Sequence, residues 1–170
     1  MRTAYAAMLL PCLLAIPLSA GAQSAAGIVL ENATFDSHNA SGSCGPAQIE
    51  ITGVDADNTT DTPRLIRDYG ASVRIQSAGK TLVIGDGGDG SVLVQNQNKL
   101  HCVTTPSGPR LVVAAHCFSN YCLPISYTVI DPATLRVISQ DVDGECDEQC
   151  ASKALGAPLP ADLSSPLNRS

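Results

Sequence analysis

Beyond residue 22 the chain never sustains a long apolar or helix-periodic segment, because Gly, Pro, Asn, Asp or Ser interrupts each short run, and that rhythm restricts it to a fold of short strands. The runs fall at residues 28–31, 48–54, 72–76, 81–84, 91–95 and 100–104, followed by three strands within 110–139. Such spacing predicts an all-β, mostly antiparallel meander or sandwich of about nine short strands. Gln48-Ile49-Glu50-Ile51-Thr52 and Ser72-Val73-Arg74-Ile75-Gln76 alternate polar and apolar residues, as strands with one wet face do. Leu111-Val112-Val113-Ala114-Ala115 is apolar on both faces and should lie centrally. A propeller is disfavoured, since no repeat of about forty residues recurs.

Residues 1–22 carry an early Arg2, an apolar run over 8–18 and the small residues Ala20-Gly21-Ala22, the pattern of a secretory signal peptide. No other stretch approaches the roughly eighteen apolar residues of a membrane span. A periplasmic or secreted protein follows, with one all-β domain over 23–156. Residues 145–155 form the one expected helix, with acidic residues early, Lys153 late and Gly156 as its stop. Residues 157–170 read as a disordered C-terminal tail.

Losing Cys12 with the signal leaves six cysteines, and an even number in an exported chain implies disulfides. Six allow fifteen connectivities; proximity suggests Cys117 with Cys122 and Cys146 with Cys150, leaving Cys44 and Cys102 as the long-range bridge. A regular helix would hold Cys146 and Cys150 at an awkward separation, which leaves room for Cys150 to bond elsewhere. Zinc is disfavoured, because the paired Cys-x-x-Cys spacing is missing.

Loss of Arg2 moves the formal charge from −6 to −7. Such a chain gains nothing from phosphate neutralisation and has few aromatics on which bases could stack, so nucleic acid is not an expected partner. The acidity suits solubility, or a basic protein partner. No cofactor and no metal are expected. Asp55, Asp57 and Asp61 space their oxygens like the start of a calcium loop, but the glycine at its sixth position and the closing glutamate are missing. Gly85-Asp86-Gly87-Gly88-Asp89-Gly90 and Asp141-Val142-Asp143-Gly144 read as turns, and Asn32, Asn39 and Asn58 fit the N-glycosylation pattern.

Val112-Val113-Ala114-Ala115-His116-Cys117 is similar to the segment around the catalytic histidine of trypsin-like proteases, but their nucleophilic serine follows the histidine, with an acid between the two in chain order. Here the only Gly-Asp-Gly-Gly stretch precedes His116 and has no serine at its centre. His116 therefore reads as an ordinary strand residue. His38, His101 and His116 lie on separate segments, and no nucleophile with a matched base supports an enzyme.

The candidate site is the tip of the hairpin built on 110–139. Pairing Cys117 with Cys122 would close Phe118, Ser119, Asn120 and Tyr121 into a stiff four-residue loop and set Ala115 opposite Pro124. An Asp131-Pro132 turn would then set Ile130 opposite Leu135 and Ile125 opposite Gln140.

Arg110-Leu111-Val112, Phe118-Ser119, Ser126-Tyr127, the turn of residues 131–134 with Arg136-Val137, and Cys146, Cys150, Ala151 and Lys153 together resemble a known family. These residues are similar to the C-terminal part of periplasmic all-β immunity proteins, which protect bacteria against type VI-secreted peptidoglycan amidases. The resemblance implies a non-enzymatic inhibitor that inserts the loop after its Phe-Ser pair into the toxin's groove, here Phe118, Ser119, Asn120 and Tyr121. The family's serine-rich tip is matched by Asn120 and Tyr121, and the bracketing cysteines depart from its pattern. The other reading is a small envelope-associated structural β domain with no catalytic target.

Overall fold

The computed structural model describes residues 27–36, 38–54, 65–67, 71–85, 97–116, 123–139 and 146–165. In chain order their elements are β1 (Ile28–Val29), β2 (Glu31–Phe35), β3 (Asn39–Cys44), β4 (Ala47–Thr52), β5 (Ile66–Arg67), β6 (Ser72–Ser77) and β7 (Lys80–Gly85). There follow β8 (Gln97–Thr105), β9 (Gly108–His116), β10 (Ile125–Asp131), β11 (Arg136–Val137), α1 (Glu148–Leu155) and α2 (Ala161–Ser164).

The alternating segments generate one sheet, ordered β2-β3-β4-β6-β7 and antiparallel throughout. Ile49 pairs with Ile75 and Ile51 with Val73, so the period of two places all four on one buried face. Glu50 pairs with Arg74 on the opposite, wet face, their charged ends 3.9 Å apart. At the β6–β7 hairpin the two turn residues, Ala78 and Gly79, have φ of 49° and 75°, the left-handed pair that matches strand twist in a tight turn.

The second sheet runs β1-β8-β9-β10-β11, with β5 also on β8. β1 lies parallel to β8, whereas the other pairings are antiparallel. Leu100, Leu111, Val113 and Ile130 from this sheet join Ile49, Ile51, Val73 and Ile75 in one core, so the architecture is a sandwich. Cys44 of β3 and Cys102 of β8 form a disulfide from one sheet to the other.

The outer face of the β8–β10 sheet is also covered. Val112, Ala114, Tyr127 and Val129 pack there against Ala151 and Leu155 of α1 and Leu163 of α2. The segment apolar on both faces is thus the central strand β9, flanked by β8 and β10 and buried from Leu111 to His116.

The expected helix begins at Glu148 because Asp147 caps it, accepting a hydrogen bond from the Cys150 N–H at 2.8 Å. Gly156, at φ 67°, ends it as expected. The disulfide Cys146–Cys150 forms because Cys146 precedes the cap and lies outside the helix, behind the extended Asp147, which brings the two Cα atoms to 5.3 Å.

Three expectations are corrected. The reading of 157–170 as a disordered tail fails up to Ser165, because Leu159 and Leu163 are buried against the sheet and Ala161–Ser164 form α2. Ala115 pairs with Ser126 and not with Pro124; a slip of two residues keeps every side chain on its face and leaves Pro124, which has no N–H, outside the ladder. Ile130 pairs with Val137 and not with Leu135, since the turn is wider: Asp131 accepts from the Ala133 N–H through its side chain and from the Leu135 N–H through its carbonyl, with Leu135 at φ 57°.

Candidate functional site

The six residues of the expected tip, Cys117, Phe118, Ser119, Asn120, Tyr121 and Cys122, lie outside the described residues, and so does the Cys117–Cys122 disulfide. The loops at 55–61, 86–90 and 141–144 lie outside them too; Gly85, described, closes β7 opposite Ser72. What is described is the tip's support. β9 and β10 stay paired to His116 and Ile125, with Val112 to Ala115 fully or almost fully buried.

Immediately below that exit lies a group of basic side chains that alternation alone would assign to a wet face. Lys99 and His101, two residues apart on β8, point to the same outer face as His116 of β9, and all three are buried, at 0%, 3% and 2% exposure. α2 covers the two on β8. The Lys99 Nζ donates to the carbonyl oxygens of Asp162 and Ser165, the latter at 2.9 Å, and His101 Nδ1 stands 3.6 Å from the Asp162 carboxylate. His116 Nε2 is buried without a hydrogen-bond partner.

The charges follow from this enclosure. Burial lowers the Lys99 ammonium from its ordinary range, and Asp162 opposes that shift. Burial and then the Lys99 charge push His116 down to about 4, so its ring is neutral at pH 7. Tyr127, on the same face, is pushed up to about 12, by burial first and then by Glu148. Lys99, His101 and His116 are enclosed, and the two bonds of Lys99 hold α2 and Ser165 to the sheet.

The structure places His101 and His116 on one face of neighbouring strands but four positions apart along the sheet, opposite Val112 and Gln97, while His38 is exposed beside the other sheet. Sequence reading missed Lys99 and Asp162 altogether. The available signal was Lys99-Leu100-His101, a polar-apolar-polar alternation, but its partner on α2 is 63 positions away and no local pattern announces the cover.

Among the described residues no group of three or more His, Cys, Asp and Glu is arranged to hold a metal ion, and no helix is long and apolar enough to cross a membrane. No protein-family model matches the chain, and neither a curated protein nor a solved structure is similar to it.

Proposed function

We propose that the mature chain is a periplasmic, non-enzymatic inhibitor of the immunity type, which binds and blocks a secreted peptidoglycan amidase through the 117–122 loop. The observation that carries this reading is the loop's base: six consecutive cross-strand pairs, from Leu111↔Ile130 to His116↔Ile125, run up to the point where the chain departs. A segment mounted on a continuously paired support loses less freedom on docking, so more of its contact energy appears as affinity. The disulfide between the sheets supports export and adds stiffness to the same scaffold. Phe118 and Tyr121 are the anchors of the interface, aromatics being prominent among residues that dominate binding energy. The net negative charge favours encounter with a basic groove.

The test is a panel of purified type VI-secreted peptidoglycan amidases, each assayed for peptide release from cell wall with and without an excess of the mature chain. Saturable, stoichiometric inhibition of one amidase is the expected result, with no cell-wall cleavage by the chain itself. A panel in which none is slowed, or a chain that cleaves the substrate, contradicts the proposal.

A further inference from the structure

The wet face of the β2-β3-β4-β6-β7 sheet is polar but not flat. Along β3 the outward side chains are Asn39, Ser41 and Ser43, and the two serines stand opposite the longer Glu50 and Gln48 of β4. A trough follows the short side chains. Two adjoining cavities of about 500 and 380 Å³ lie in it and share Thr34, Ser41 and Glu50, volumes in the range of small-ligand sites. Thr34, Ser41, Glu50 and Arg74 are successive cross-strand partners on β2, β3, β4 and β6, so the middle of the trough is one continuous row. On the trough's flank β2 departs from regular pairing between Glu31 and Thr34, where Asn32 takes a φ of 53°. Such a bulge bends its strand and re-aims a side chain, and here the Asn32 amide donates to the Ser43 Oγ at 3.5 Å.

The lining selects among ligand chemistries. It offers hydroxyls, side-chain amides and the carboxyls of Asp36 and Glu50, and among the described residues that line it there is no Lys, Arg or His. A phosphate or carboxylate ligand presents only acceptors and is held best by cations, which this lining lacks. An ammonium presents only donors and leaves the amide N–H groups unmatched. A sugar hydroxyl is donor and acceptor at once, and so matches hydroxyl, amide and carboxylate alike. The Thr34 and Ser41 hydroxyls lie 2.7 Å apart, either able to donate to the other, so the pair keeps acceptor capacity for a ligand. The exposed Glu50 carboxylate adjoins them, 3.9 Å from Arg74, and the Asn39 amide is fixed by donating to both oxygens of Asp36.

We propose that the trough along β3 binds a short neutral oligosaccharide, its hydroxyls held by Thr34, Ser41 and Glu50 at the centre and by Asn32, Gln48 and Asn39 toward the ends. The site belongs to the sheet that does not carry the 117–122 loop, so it stands or falls independently of amidase inhibition.

The experiment is a proton–nitrogen NMR titration of the mature chain with N-acetylchitotetraose, cellotetraose and maltotetraose, and with trilysine as the cationic comparison. Each is taken to about 10 mM, enough to fill most of a site of millimolar Kd. At least one tetrasaccharide should shift the amides of Thr34, Ser41, Gln48 and Glu50 saturably and leave Val112 and Val129 of the other sheet in place, and the sugar that binds distinguishes an N-acetylated from a plain glycan. Glu50→Gln should weaken that binding roughly tenfold, the loss of a hydrogen bond to a charged group. Ser41→Tyr should abolish it by filling the trough, with unmoved Val112 and Val129 amides reporting that the variant is folded. No saturable shift with any sugar, shifts confined to residues outside the trough, or trilysine moving the same amides at lower concentration than every sugar would each overturn the proposal. These outcomes are read on the unmutated chain and do not depend on the variants.

Discussion

Removing the two described disulfides one at a time should separate their roles by size. Cys44 and Cys102 are 58 positions apart and bridge the two sheets, whereas Cys146 and Cys150 are 4 apart and bridge a helix entrance. With chain entropy of the unfolded state as the dominant effect, the longer loop gives about 4 kcal/mol and the shorter about 2 kcal/mol. The long loop encloses β4, β5, β6 and β7, so without it most of one sheet must find the other with no covalent guide. The Cys44 side chain is fully buried, which adds a small cavity cost to its truncation. The assay is urea unfolding of the mature chain and of the Cys44→Ala/Cys102→Ala and Cys146→Ala/Cys150→Ala variants. Far-UV circular dichroism is the probe, since the chain has no tryptophan. At a slope of about 2 kcal/mol per molar, the midpoint should fall by about 2 M for the first variant and about 1 M for the second. A fall below about 0.5 M for the first, or a larger fall for the second, would refute the ranking.

Asp147→Ala should lower stability by about 1 kcal/mol in the same assay, since the Cys150 N–H loses its cap. Leu163→Ala should cost about 2–3 kcal/mol, seen first as protease cleavage within 157–165 at neutral pH, because its side chain is fully buried against the sheet. Gly53→Ala should cost at least about 1 kcal/mol by thermal melting, its φ being 79° and its new Cβ falling 2.8 Å from the Ala71 Cα. Asp36 accepts from the Asn39 side chain first and then from the His38 and Asn39 backbone N–H groups, which holds its carboxyl below 3.8. Its contribution is therefore present above pH 3.8 and lost as pH falls through the lower folded value, so the melting-temperature gap to Asp36→Asn should close on acidification.

The parts of the fold legible in the sequence are those in which one residue pattern decides one environment. β4 and β6 announced themselves because Ile49, Ile51, Val73 and Ile75 face a single core, and β9 because it is covered on both sides. β3, Asn-Ala-Ser-Gly-Ser-Cys, carried no such mark: Ala40, Gly42 and Cys44 on one of its faces are small, and a side chain on Gly42 would meet Leu30 at 2.8 Å. Register was the weaker inference, since a shift by two conserves the faces and only the turn chemistry distinguishes it; Leu135 at positive φ is a choice composition does not reveal. The segment 157–165 was illegible for a different reason. Pro158, Pro160 and the polar residues around them resemble a free tail, and its polar anchor, Lys99, lies far upstream.

The most direct test of the proposed inhibition is calorimetric titration of a Tyr121→Ala/Asn120→Ala double variant against the amidase that the unmutated chain inhibits. The account predicts an unchanged melting temperature and an affinity weakened by at least about 2 kcal/mol, roughly 30-fold. Unaltered affinity in a folded double variant would remove the 117–122 loop from the interface and contradict the central claim.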